Sequence, residues 1–248
     1  MMRSILITGC NRGLGLGLVK TLIGLPKPPQ NIFATCRDIC GAVELKKLAD
    51  ENKNIHIVQI DLRDFKSYDN LVKQVADVVK DNGLNVLFNN AGISPKSTRI
   101  GFVKENDIVD TLLTNTVVPI MLAKACIPLL KKASQANESA PLSVSRAAII
   151  NMSSILGSIE SNVEGGRYAY RASKSALNAA TKSLSIDLNG DKILCISLHP
   201  GWVRTDMGGS KAPLDVETSA CKLIETLMSL NQNHNGGFYQ YDGKKLPW

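Results

Sequence analysis

The chain has 248 residues, 44% of them hydrophobic and 21% charged, and its 29 basic against 22 acidic side chains give a formal charge of +7. This is the balance of an ordinary globule with ample core material, which excludes a disordered, highly charged chain. Lys and Arg are spread along the sequence without a basic tail or run, so nothing points to nucleic acid, and an anionic small ligand suits the charge equally well.

In chain order, short β-branched runs alternate with longer helical patterns. "RSILITG" reads as a buried strand, and its apolar run Ile5, Leu6 and Ile7 is too short for a secretory core. The leucine-rich stretch 14–23 follows as a helix, "LPKPP" breaks it, and "NIFATC" makes a second strand. Helix "GAVELKKLADE", strand "IHIVQID", helix "FKSYDNLVKQVADVVK" and strand "NVLFNN" come next, then a long helix over about 105–132. "SQANESAPLSVS" reads as an exposed loop. Strand "RAAIINMS", helix "YRASKSALNAATKSLSIDL", strand "KILCISLHP", helix "VETSACKLIETLMSL" and strand "GGFYQY" finish the chain.

Seven strands separated by helices imply an α/β, doubly wound Rossmann-type fold with a mainly parallel sheet, because parallel neighbours need helical crossovers. No linker interrupts the rhythm, so one domain is expected over 1–248. No segment approaches the roughly 18 uninterrupted apolar residues of a membrane span. The six cysteines (Cys10, Cys36, Cys40, Cys126, Cys195, Cys221) form no CxxC pair, and His56, His199 and His234 stand alone. Reduced structural thiols, no metal site and a cytoplasmic address are therefore expected.

In such sheets ligands bind beyond the carboxyl ends of the strands, and the short polar motifs lie there. Gly9, Gly13, Gly15 and Gly17 follow the first strand and open the first helix. Free backbone amides at a positive helix end suit a pyrophosphate, and glycine lets it approach. The spacing is GxxxGxG, so a tight turn with glycines kept for packing stands as the alternative. Tyr170 and Lys174 are four apart in a helical segment and share one face. A tyrosine titrating near ~10 needs roughly 4 kcal/mol of differential stabilisation to work at pH 7, and a nearby ammonium supplies part of it.

The motif set as a whole resembles the short-chain dehydrogenase/reductase superfamily. "TGCNRGLG" is similar to its TGxxxGxG cofactor loop, and "NNAG" at 89–92 to its tetrapeptide after the fourth strand. Asn115, Ser154, Tyr170 and Lys174 stand in the family's order, and "HPGWVRTDM" is similar to its PGxVxT segment. "GLGLGLVK", "PGWVRTDMGG" and the ending "YDGKKLPW" look most like the sniffer and C-factor branch of carbonyl reductases.

The resemblance implies an NADPH-dependent reductase acting on a small-molecule ketone, aldehyde or quinone, as a homodimer or homotetramer with no nucleic-acid or membrane partner. It implies that Ser154 bonds the substrate carbonyl, that Tyr170 protonates it, and that Lys174 holds the nicotinamide ribose. Asn115 would hold a water linking Lys174 to solvent. The cofactor would lie on Gly9, Asn11, Arg12, Gly13, Leu14 and Gly15, with Asp61 and Leu62 at the adenine. Asn90, Ala91 and Gly92 would form the floor, and Pro200, Val203 and Thr205 would lie near the carboxamide. Ser153 is expected to turn the other way as a buried neighbour, Asp61 has a buried cap as its alternative role, and Trp202 either lines the cavity or packs on the following loop.

An NAD site usually carries an acid at the end of the second strand. Here Cys36 and Arg37 stand there, with Asp38 one step late. Arg12 and Arg37 are therefore expected to clamp a 2′-phosphate by charge-assisted bonds, unless they are simply two solvated arginines. Tyr170 follows Ser154 by sixteen positions, longer than the family pattern, so "ILGSIESNVEGGRYA" is expected to reshape one wall of the site, with Tyr168 a competitor for polar contact there. The remaining walls are expected from the loops 94–104 and 207–213. A non-catalytic dinucleotide sensor on the same fold is the rival reading, and its mark, loss of the Ser, Tyr or Lys, is absent. An epimerase is disfavoured, because its loop would read TGxxGxxG.

Overall fold

The computed structural model describes residues 2–96 and 99–248, so Ser97 and Thr98 of the expected wall loop 94–104 lie outside the described residues. Strands β1 (Ser4–Ile7), β2 (Asn31–Cys36), β3 (Ile55–Gln59), β4 (Val86–Asn89), β5 (Ala148–Met152), β6 (Leu194–His199) and β7 (Phe238–Gln240) form one sheet in the order β3-β2-β1-β4-β5-β6-β7. Every pairing is parallel. The strand order reverses between β1 and β4, and the crevice beyond their carboxyl ends is where such a sheet binds ligands.

The strands are apolar on both faces because helices cover both. Ile5, Ile7, Ile32, Val86, Phe88, Ile150 and Ile196 point to a core closed by α1 (Gly13–Ile23), α2 (Val43–Glu51) and α7 (Val216–Ser229). Their alternates Leu6, Phe33, Leu87, Ile149 and Cys195 meet α3 (Tyr68–Val79) and α5 (Val118–Ala136) on the other side. Helix α6 (Tyr168–Asp187) lies on that side too and meets Asn151 of β5 through Thr181, at 2.8 Å.

The long helix expected over 105–132 is in fact three pieces. Helix α4 (Glu105–Leu112) passes into a π-helical turn, Leu113–Val117, and then into α5. The last runs through Pro128 to Ala136, beyond the expected end. By length and composition the run Glu105–Ala136 is apolar enough to cross a membrane, with 44% of its most apolar stretch buried in this fold. All six cysteines are free thiols; Cys10, Cys36, Cys126 and Cys195 are buried in the two cores.

Candidate active site

The glycines of the first loop serve separate ends. Gly9 (φ +71°) and Gly13 (φ +56°) take left-handed backbone, which favours glycine. A Cβ on Gly15 would lie 2.1 Å from the Gly9 carbonyl, and one on Gly17 2.5 Å from Val216 of α7. So Gly9, Gly13 and Gly15 shape the loop, while Gly17 lets α1 and α7 pack. Arg12 precedes α1 without a side-chain cap, and the first turn contains no acid. The amides of Gly13, Leu14 and Gly15 therefore find no acceptor among the described residues. An uncapped helix end beneath left-handed glycines is a donor set that fits a pyrophosphate.

Thr8 joins this loop to the next one. Its hydroxyl accepts from the amides of Asn90 (3.0 Å) and Ala91 (2.9 Å), while the Asn90 side chain donates to the Thr8 carbonyl at 2.8 Å. Asn90, Ala91 and Gly92 thus lie directly against the glycine loop. Asp61 is exposed, and its carboxylate accepts the Arg63 amide at 2.9 Å, so the turn it caps is an open one and not the buried alternative. Leu62 is half-buried, and its carbonyl accepts the Tyr68 hydroxyl.

At the expected phosphate clamp, Arg37 is exposed and makes no ion pair among the described residues. Arg12 instead pairs with Asp206 at 2.6 Å, both side chains about three-quarters exposed (74% and 75%). The pairing was not legible in the sequence, since it joins two loops far apart in the chain. Cys36 is buried, with its thiol pushed up by loss of solvent and then by Asp38.

Beyond β5, Ser153 turns inward and donates to Asn178 at 2.6 Å, whereas the Ser154 hydroxyl accepts the Leu156 amide at 3.2 Å at the mouth of the crevice. The turn after Ser154 presses on α6: a Cβ on Gly157 would lie 2.8 Å from Lys174 backbone and Cβ. That contact sets Ser154 beside Tyr170. Lys174 is buried, and its ammonium donates to the Met152 carbonyl at 2.7 Å and lies 5.7 Å from the centre of the Tyr170 ring. Burial pulls the Lys174 pKa down to about 8.

Burial raises the Tyr170 phenol above its ordinary value, and the two influences that oppose it are hydrogen bonding from Ser154 and the charge of Arg167. The ammonium of Lys174 thus bonds the Met152 carbonyl while lying over the Tyr170 ring.

The π-helical turn buries Asn115 and Thr116 together. The Asn115 amide accepts from Ile93 N–H and donates to the Ile93 carbonyl, each at 2.8 Å, and donates to Ser173 at 3.0 Å. Its side chain is therefore an anchor that ties the loop after β4 to α6. A Cβ on Gly92 would lie 3.1 Å from Asn115 and 3.6 Å from Lys174, which places those two residues around one small space.

After β6, the Pro200 carbonyl accepts from Ser219, Val203 is buried and pairs with Leu214, and Thr205 accepts the Gly208 amide at 3.1 Å. A Cβ on Gly13 would lie 3.6 Å from the Thr205 methyl, so this loop closes over the glycine loop. Trp202 donates its indole N–H to the Gly208 carbonyl at 2.7 Å and is 55% exposed, so it packs on the following loop. The wall between Ser154 and Tyr170 is braced by Trp248, whose carbonyl accepts from Glu160 N–H (3.0 Å) and Ser158 (3.1 Å). Tyr168 opens α6, 43% exposed.

His199, which the sequence did not single out, stands just before the Pro200 loop. It is buried at the carboxyl end of β6 with Nδ1 unpartnered, and loss of solvent pulls its pKa down to about 4. No sequence signal marked it beyond its place before "PG".

Comparison with known proteins agrees with this geometry. Residues 3–214 match the family model for short chain dehydrogenases. The chain is similar to the solved carbonyl reductase Sniffer of D. melanogaster, with 66% identity, full coverage of both chains and a TM-score of 0.99. It is also similar to the NADPH-bound carbonyl reductase from chicken fatty liver, at 40% identity over 100% of this chain and 94% of that one, with a TM-score of 0.94. Among curated proteins, the C-signal of Myxococcus xanthus is 36% identical over 165 residues, 66% of this chain and 93% of that protein.

Proposed function

The chain belongs to the short-chain dehydrogenase family, and on that premise we propose that it is an NADPH-dependent carbonyl reductase converting ketones, aldehydes or quinones to alcohols. The observation that carries this reading is the convergence of Ser154, Tyr170 and Lys174 on a crevice whose other side is the uncapped amide cluster of α1.

When bound, the dinucleotide supplies a hydride to the carbonyl carbon. The amides of Gly13, Leu14 and Gly15 hold its pyrophosphate, and the Thr8–Asn90 bonds keep the floor at Asn90, Ala91 and Gly92 fixed. Asn11 and Arg12 flank the same loop; Arg37 takes the 2′-phosphate; Asp61 and Leu62 stand at the adenine end. Pro200, Val203 and Thr205 close the nicotinamide end. Lys174 keeps the ribose side positioned, held by Met152.

A carbonyl oxygen gains negative charge as its carbon is reduced, so it needs donors already aimed at it. Ser154 supplies one hydrogen bond, and Tyr170 transfers its phenolic proton to the same oxygen. The raised phenol suits this direction, because the tyrosine stays protonated and able to give at neutral pH. Asn115 acts by holding Ile93 and Ser173 in place beside Lys174.

The reading extends to a single functional unit over 1–248, a cytosolic setting and a homodimer or homotetramer, for which exposed Val109, Val117 and Ile120 offer apolar surface. Sedimentation velocity checks the assembly. The decisive experiment for activity follows NADPH absorbance with a panel of ketones, aldehydes and quinones. Consumption coupled to alcohol or hydroquinone formation supports the reading, and none across the panel overturns it.

A further inference from the structure

The wall between Ser154 and Tyr170 rests on α6 only at its ends. The Gly157 carbonyl accepts the Ser175 hydroxyl at 2.8 Å and the Asn178 amide at 3.4 Å, and the Gly165 carbonyl accepts the buried Arg171 guanidinium at 3.2 Å. Between them, residues 158–163 take no hydrogen bond from α6 among the described residues. An open, largely apolar cavity of about 230 Å³ is lined by Ile159 of the wall, by Ser175, Asn178 and Ala179 of α6, and by Trp248. A segment held so sparsely opens locally at little cost unless something else secures it.

What secures it is the stretch 244–248. The Leu246 amide donates to the Phe238 carbonyl at 2.8 Å and the Gln240 amide to the Lys244 carbonyl at 2.7 Å, so this strap lies antiparallel along β7, at the edge of the sheet. Its last contact is aromatic. The Trp248 ring stacks on fully buried Phe238, with centroids 5.7 Å apart and planes at 19°. The Trp248 carbonyl is thereby aimed at the wall, where it accepts the Glu160 amide at 3.0 Å and the Ser158 hydroxyl at 3.1 Å. Ser158 in turn accepts the Ser161 amide at 3.0 Å, which carries the hold on through 158–161.

We infer that Trp248 is a positioning residue that sets substrate size selection: the strap fixes the middle of the wall, while α6 independently fixes the Ser154 turn. The inference rests on the carbonyl reductase reading for its kinetic consequence. The division follows from where the bonds fall. Ser154 lies on the Gly157 side, tied to α6 without help from the strap, so its hydrogen bond to a carbonyl oxygen does not depend on Trp248. Residues 158–163 do depend on it, and they carry Val163, 92% exposed, as apolar surface open to the bulk of a substrate. A carbonyl compound too small to reach this surface is indifferent to the strap. A bulky aromatic one meets a preformed wall in the wild type, and must order the wall itself once the strap is cut.

The test compares the wild type with Trp248→Ala, Trp248→Phe and Ser158→Ala at saturating NADPH, on the smallest and the bulkiest carbonyl compounds that the panel shows to be turned over. Trp248→Ala should raise KM for the bulky substrate about fivefold, the worth of one ordinary hydrogen bond. Its kcat for both substrates, and KM for the small one, should stay at the wild-type level. Ser158→Ala cuts the same contact from the wall side with the stack intact, and should raise the bulky KM in the same direction. Trp248→Phe keeps a ring on Phe238 and should restore it. A parallel loss with both substrates, a fall in kcat alone, or no rescue by phenylalanine overturns the proposal and leaves Trp248 a residue of stability only. A second readout needs no activity: amide hydrogen exchange over 158–163 in cofactor-free protein should quicken about fivefold in Trp248→Ala and not in Trp248→Phe, with the turn 154–157 unchanged. Unaltered exchange over 158–163 overturns the proposal even in an active reductase. Faster exchange there in a protein that reduces no carbonyl sustains the brace and overturns the reductase reading, and size selection with it.

Discussion

Replacing Arg37 by alanine removes a cation that is exposed and pairs with no carboxylate among the described residues, so nothing is released by its loss except its bond to a ligand. A hydrogen bond to a charged partner is worth about 1.5–3 kcal/mol, and screening at so open a position halves it. The expected loss is about 0.75–1.5 kcal/mol, or roughly four- to twelvefold in NADPH affinity. Arg12 should matter less, because it must leave Asp206, now 2.6 Å away, before it can meet a phosphate. Arg12→Ala is therefore expected to weaken NADPH about threefold, and Asp206→Asn, which frees Arg12, to tighten it about twofold. NADH, which has no 2′-phosphate, should bind almost equally to all four proteins. Titrating each with both dinucleotides by nicotinamide fluorescence, at low and high salt, measures every arm. Equal losses for NADPH and NADH would refute the clamp and assign the arginines to the pyrophosphate or the fold. A wild type that prefers NADH would refute the cofactor assignment itself.

Tyr170→Phe keeps the ring and removes the transferable proton, so kcat should fall by roughly 10²–10⁴-fold while NADPH affinity is retained; near-normal turnover of any substrate removes Tyr170 as donor. Gly15→Ala drives a Cβ to 2.1 Å from the Gly9 carbonyl. Overpacking of about 1–3 kcal/mol should lower Tm by about 5 °C and weaken dinucleotide binding, and an unchanged melting curve would show that the loop yields. His199 stays neutral in the fold down to about pH 4, against 6.5 unfolded. Between those values the unfolded chain binds the extra proton, so stability falls as pH drops from about 6.5 to 4, by about 3 kcal/mol. Denaturant titrations at pH 4.5 and 7 should show this slope flattened in His199→Phe, and equal slopes would place the acid sensitivity elsewhere.

The architecture was legible because parallel strands buried on both faces leave nearly continuous apolar runs, as in "ILI" at 5–7 and "AAII" at 147–150, and because amphipathic spacing in α3 and α7 is strong. The inward turn of Ser153 was legible too, from the two-residue period of a strand. What escaped was geometry with no local sequence cost to reveal it. The π-helical turn uses residues, "LTNTV", that an α-helix also accepts. The expected helix ended near Lys132, whereas α5 continues to Ala136. The anchoring of Asn115 by Ile93, the pairing of Arg12 with Asp206 and the direction of the Lys174 ammonium all depend on partners distant in the chain. For Trp202 the sequence left open whether it lines the cavity or packs on the following loop, and the bond to Gly208 favours the loop.

The π-helical turn at Leu113–Val117 amounts to one residue more than a regular helix would hold there. Deleting any one of the five would restore uniform winding and better local bonding, and the same stroke would rotate everything on one side by about 100° relative to the other. Either the stripe Leu122, Cys126 and Leu129 would turn out of its core, or buried Thr111 would leave its own. The surplus residue thus uncouples the registers of two helices that must each face the interior at different angles. Mutational drift toward a smoother helix is closed to this segment, and length variation among related chains should accumulate in the loop 155–167 while sparing these five positions.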